Sequence, residues 1–152
     1  MNKRMLEVAH LEQKLSELEA SRNVSVPSAG WLRLVRQSLG MTLQQVADKL
    51  GVTKQSVREM ESRELTGAIT LKRLREAAEA MEMNLVYGFV PKDGSVENLI
   101  ERKARELATE IVERASVTMR LEDQENAPER IQRAIEERAE ELKRQLPKML
   151  WD

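Results

Sequence analysis

The stretch Met41–Glu61, MTLQQVADKLGVTKQSVREME, decides how this chain is read. One glycine, Gly51, separates two short amphipathic runs, and small polar and basic residues follow it at once. Thr42 has the side chain to cap a helix over 43–50, which Gly51 stops, and Thr53 the side chain to cap another over about 54–62. Two short helices crossing at a steep angle need a small residue where they touch. They also need a residue at the turn that accepts positive φ. Ala47 and Gly51 meet these needs. Val46, Leu50, Val52, Val57 and Met60 fill the shared core, which leaves Lys54, Gln55, Ser56 and Arg58 outside, near the start of the second helix. A helix so presented fits the DNA major groove with its first residues at the base edges, and its N-terminus attracts phosphate.

Working outward, a helix is expected over 31–39, ended by Gly40, and another over 71–82, capped by Thr70. Met5, Val8, Leu11, Leu15 and Leu18 keep three-and-four spacing, which predicts an amphipathic helix over 3–21. The turn-rich SRNVSVPSAG after it, residues 21–30, reads as a linker. Residues 84–90, NLVYGFV, closed by the turn PKDG, read as a strand carrying Leu85, Val86, Tyr87 and Phe89. No second strand of like quality occurs, and a lone strand leaves its backbone groups unpaired. Pairing with the same strand of a second copy answers this, so a homodimer joined by a two-stranded ribbon is expected. An extended, packed connection is the alternative.

Ser95 caps a long helix in which Val96, Leu99, Ile100, Ala104, Leu107, Ala108, Ile111, Val112, Ala115 and Met119 keep one stripe over six turns. LEDQENAP breaks it, and Ile131, Ile135, Ala139, Leu142 and Leu146 form a last helix stopped by Pro147. The two should fold into an antiparallel hairpin. The reading is a mainly α chain in four parts: an amphipathic helix over 1–22, a helix-turn-helix domain over 29–83, a strand and turn over 84–94, and a helical interaction region over 95–152.

Composition narrows the functional classes. The chain has 152 residues, four of them aromatic and none of them cysteine. That excludes disulfides and thiolate metal sites. His10 is the sole histidine and stands as a surface side chain, so no metal site is expected. No Gly-rich phosphate loop and no nucleophile beside a base appears, so neither an enzyme nor a cofactor is expected. With no apolar run near the ~20 residues that span a bilayer and no signal-peptide core, a cytoplasmic protein without a membrane role is expected. The net charge of −1 hides an asymmetry. Residues 29–75 hold nine Lys/Arg against four Asp/Glu, hence +5, while 95–152 hold eleven against fourteen, hence −3. The basic middle suits a polyanion.

The order Ala47, three residues, Gly51-Val52, then Val57 and Met60 resembles the helix-turn-helix core of the Cro/C1-type (XRE) family of DNA-binding proteins. The likeness covers its five-helix unit, about 30–83. The resemblance implies double-stranded operator DNA as partner, with Lys54, Gln55 and Arg58 reading bases. It implies backbone contacts by Thr53 and Ser56, and by Gln44, Arg36 and Arg63 toward phosphates. Family members often carry Gln at the first position of the preceding helix, to buttress a base contact; Leu43 stands there, with Gln44 next.

A second resemblance covers nearly the whole chain. The leading amphipathic helix, GWLRLVRQSLGMT, LVYGFVP, MRLEDQ and the closing LWD are similar to the family called mobile mystery protein A. Its members are encoded beside a Fic-domain protein. The resemblance implies an antitoxin-like autorepressor with a Fic-domain partner; a protein-interaction module that restrains the partner without reading DNA is the alternative. Fic inhibitors often carry Ser or Thr, three residues, Glu, then Gly or Asn. Thr109 with Glu113 and Thr118 with Glu122 match only the first part, since Arg114 and Asp123 follow. A chain this rich in Glu gives two such pairs by chance, so Glu113 and Glu122 read as solvated helix face before inhibitory residues.

Overall fold

Side-chain caps set most helix starts. The structure, a computed structural model, describes residues 2–121 and 127–152, and for 119–121 the backbone alone. Its α-helices are α1 (Lys3–Ser16), α2 (Trp31–Ser38), α3 (Leu43–Leu50), α4 (Lys54–Thr66), α5 (Leu71–Ala80), α6 (Val96–Leu121) and α7 (Pro128–Gln145). Short 3-10 turns occupy Glu19–Ser21 and Lys148–Trp151. Asn2, Thr42, Thr53 and Thr70 each accept a first-turn amide, of Met5, Gln45, Ser56 and Arg73. Each removes one orphan donor from a helix N-terminus. At Thr42 the cap is reciprocal, because its own N–H donates to the Gln45 side-chain oxygen at 2.9 Å.

The chain forms two compact units, Asn23–Tyr87 and Met1–Arg22 with Gly88–Asp152. In the first, α2 to α5 enclose Leu32, Val46, Ala47, Val57, Met60, Ala77 and Met81. The N-terminus of α2 has no cap of its own. Glu64 of α4 serves instead, its carboxylate accepting from the Trp31 amide at 2.7 Å and the Leu32 amide at 2.8 Å. Gly30 makes that approach feasible. Its φ is +84°, and a Cβ there would lie 2.9 Å from a Glu64 oxygen.

In the second unit α6 and α7 form the expected antiparallel hairpin: Lys143 near the end of α7 bridges to Glu101 near the start of α6. That ammonium holds the Glu101 carboxyl below its usual range. Ala104, Ala108 and Ala139 are buried along the seam, and their small side chains let the two helices close on Ile100, Ile135 and Leu142. The chain's turn after residue 90 is fastened by Arg102, which pairs with Asp93 at 2.8 Å.

Three expectations need correction. No strand occurs among the described residues: 84–90 has no regular secondary structure, and its backbone meets no ladder partner among them. Leu85 is half-buried there, while Val86, Tyr87 and Phe89 are exposed. The five-helix unit has four helices, because Glu82 turns the chain at φ 59° and no helix follows before Val96, in the other unit. The stripe on α6 steps by four from Ile100 through Ala104, Ala108 and Val112 to Ser116, so Ser116 is buried and Ala115 exposed. Four residues advance by 400° rather than a whole turn, so the seam drifts around the helix as it climbs. Met119, the last member of the expected stripe, has no described side chain.

Glu64→Ala should lower the unfolding free energy by about 1–2 kcal/mol, since it strips two amides of their acceptor. Urea denaturation of wild type and variant checks this.

Candidate nucleic-acid interface

The crossing of α3 and α4 is set by Ala47, which is fully buried, and by the turn after it. Gly51 takes φ 68° and ψ 32°, the left-handed conformation a Cβ resists, and Val52 N–H closes the turn onto the Ala47 carbonyl at 3.0 Å. Thr53 then caps α4, its hydroxyl 3.1 Å from the Ser56 amide. Val57 and Met60 are buried beneath.

Helical periodicity sorts the rest of α4. Val57, Met60, Glu61 and Glu64 point inward, so Gln55, Glu59, Ser62 and Thr66 lie on the opposite arc. Lys54, Gln55, Arg58 and Arg63 are exposed and Ser56 is half-buried. Arg58 Nη1 donates to Gln55 Oε1 at 3.3 Å. Leu43 is half-buried against the core, which accounts for an apolar residue at that position. Gln44 is exposed and donates to Asp48 at 2.8 Å.

Arg36 is a correction. The phosphate role expected of it is not open to a side chain that is 13 % exposed and bonded to Glu61, itself 10 % exposed, at 2.8 Å. Its Nε also donates to Glu61, and its Nη1 to the Met41 carbonyl. The guanidinium is spent inside the fold.

The electrostatics follow. Of the four acids in 29–75, Glu61 and Glu64 face inward and Asp48 holds Gln44. Only Arg36 and Arg73 among the cations of this unit have carboxylate partners, Arg73 pairing with Glu76 at 3.0 Å. Arg33, Lys49, Lys54, Arg58, Arg63, Lys72 and Arg75 are left to face solvent.

Two residues of this surface escaped the sequence reading. Glu59 sits one turn beyond Gln55, and i to i+4 spacing was signal enough to find it. Arg33 lies on α2 yet lines one concavity of about 350 Å3 with Arg58, Ser62 and Leu65. Nothing local in sequence links it to α4. Of the two glutamates weighed for inhibition, Glu113 is exposed on α6, and the Thr109 hydroxyl is committed to its own helix at the Arg105 carbonyl. Glu122 lies outside the described residues.

Residues 32–87 match the helix-turn-helix family model. The match spans α2 to α5, so this unit is a helix-turn-helix domain. No curated protein and no solved structure matches the chain. Among the described residues no helix is long and apolar enough to cross a membrane, and no cluster of metal-ligating side chains occurs.

Arg36→Ala should cost about 3 kcal/mol of stability, because it leaves Glu61 buried and unpaired. Arg36→Met with Glu61→Leu should recover most of that loss. Arg33→Ala, which removes no internal partner, should change stability by less than about 0.5 kcal/mol. Thermal unfolding of the three variants separates structural from surface arginines.

Proposed function

We propose that the chain is a sequence-specific DNA-binding transcriptional regulator whose α4 enters the major groove. One observation carries this reading: α4 is capped, presents Lys54 and Gln55 outward at its first turn, and is surrounded by cations without acidic partners. Gln55 has the amide pair that recognises adenine, and Lys54 donates to guanine. Arg58, by its bond to Gln55, orients that amide, the service Leu43 cannot give. Arg58 and Arg33 then share a phosphate across their concavity. Glu59 accepts from the cytosine amino group, the pairing a carboxylate makes in the groove. Thr53, Ser56, Gln44 and Arg63 contact the backbone around the entry point.

The regulator acts as a homodimer in this reading, since two copies of α4 one helical turn apart match a palindromic operator. The bare backbone of 84–90, with Val86, Tyr87 and Phe89 exposed, supports a second copy as the pairing partner. The resemblance to mobile mystery protein A supports autorepression of an operon shared with a Fic-domain protein. The acidic region 95–152 is then the part available to that partner. The rival reading, a module that binds the partner and ignores DNA, requires that α4 be bystander surface.

Fluorescence anisotropy with a duplex from the chain's own upstream region decides between them. Affinity should fall steeply with salt, with the slope reduced by about one for each phosphate-contacting cation removed, Arg33→Ala included. Gln55→Ala should cost about 1–3 kcal/mol on the specific duplex and little on an unrelated one. A response flat in salt, or equal affinity for both duplexes, rejects the proposal.

A further inference from the structure

In the unit built from 1–22 and 88–152, α1 is fastened by polar ties and only half-buries its apolar stripe. Asn2 donates to the Arg144 carbonyl at 2.9 Å, Arg4 to the Leu146 carbonyl, and Glu12 accepts from the Glu97 amide at 2.7 Å. These ties hold the helix beside α6 and the C-terminal turn at both ends. Between them Val8 and Leu15 pack against the hairpin core but stay half-buried, and Leu11 is exposed. What remains is a cleft of about 600 Å3 walled by Val8, Leu11 and Leu15 on one side and by Ile100, Leu146 and Trp151 on the other. Phe89 stands at its edge, 81 % exposed. Protein interiors are otherwise packed to crystal density, and an apolar space of this size exceeds a packing void.

The cleft is polarised. Arg4 and Lys148 line the end at Leu146, and neither has a carboxylate partner among the described residues. Glu7 lines the cleft too, but lies 4.0 Å from Lys3. The far end, at Leu15, Pro91 and Val96, is apolar. From Arg4 to Leu15 the helix rises about 16 Å at 1.5 Å per residue. We propose that this cleft binds an unbranched aliphatic carboxylate, its head between Arg4 and Lys148 and its chain lying along α1 toward Leu15 and Phe89. Two cations at one end of a long apolar trough complement one anionic head on one apolar tail, and the exposed Phe89 and Trp151 gain cover when the chain is seated. The site is independent of the DNA reading.

The test uses the full chain carrying Trp31→Phe, which leaves Trp151 as the only tryptophan. Sodium dodecanoate, added below its micelle concentration, should give a saturable one-to-one change in Trp151 emission. Lys148→Gln should weaken binding about tenfold, as loss of one charge-assisted contact requires, and Arg4→Gln with Lys148→Gln further. Dodecanol should bind the parent as weakly as dodecanoate binds the double variant, and Leu11→Glu should abolish binding while circular dichroism stays unchanged. No saturable change, or equal affinity of parent and Lys148→Gln, overturns the proposal. Emission that follows protein concentration and not dodecanoate puts a second copy in the cleft and overturns it. A response to phosphatidylglycerol vesicles that dodecanoate neither mimics nor competes with assigns the face to a lipid surface and overturns it equally.

Discussion

Two carboxylates on the inner side of α4 hold the helix-turn-helix domain together. Glu61 takes the Arg36 guanidinium, and Glu64 takes the bare amides at the start of α2. Both bonds tie α4 to α2, so the helix with the exposed first turn is braced from behind. The same bonds do electrostatic service. They withdraw two of the four negative charges in 29–75 from the outer surface and spend only one of nine cations doing so. Had Glu61 and Glu64 faced outward, α4 would show three carboxylates in place of Glu59 alone, repelling the phosphates that Lys54 and Arg58 attract.

The other unit is organised by size, not charge. Ala104 and Ala108 on α6 meet Ala139 on α7, and the close approach lets Ile100, Ile135 and Leu142 seal the seam. Where the seam reaches Ser116 the hydroxyl is buried with no hydrogen-bond partner among the described residues. α1 follows a different rule, being positioned by hydrogen bonds to the ends of its neighbours. That contrast, a sealed hairpin beside a helix whose Val8 and Leu15 stay half-buried, leaves the apolar cleft.

What the sequence discloses depends on how local the cause is. Thr42, Thr53 and Thr70 each cap an amide three residues on, and Gly51 ends a helix by its own backbone freedom, so those features were legible from a short window. Ala47, Val57 and Met60 were legible because their spacing is that of two crossing helices. Arg36 was misread because its partner is 25 residues away, and an arginine near a recognition helix looks the same on paper whether paired or free. The Glu64 cap was invisible for the same reason, 33 residues separating it from Trp31. The run 84–90 has the composition of a strand, but a strand is a property of two segments, and one chain supplies one. The expected stripe on α6 held Ile100, Ala104, Ala108 and Val112, and missed only the next step of four, where Ser116 and not Ala115 is buried.

Recognition of duplex DNA by this chain requires α4 to offer its first turns outward. Amide chemical-shift mapping of the full chain, titrated with a duplex from its own upstream region, tests that most directly. The largest changes should fall on Thr53, Lys54, Gln55, Arg58 and Glu59, with Arg33 beside them and the α6–α7 hairpin unmoved. Changes confined to the hairpin, or none that distinguish this duplex from an unrelated one, would contradict it.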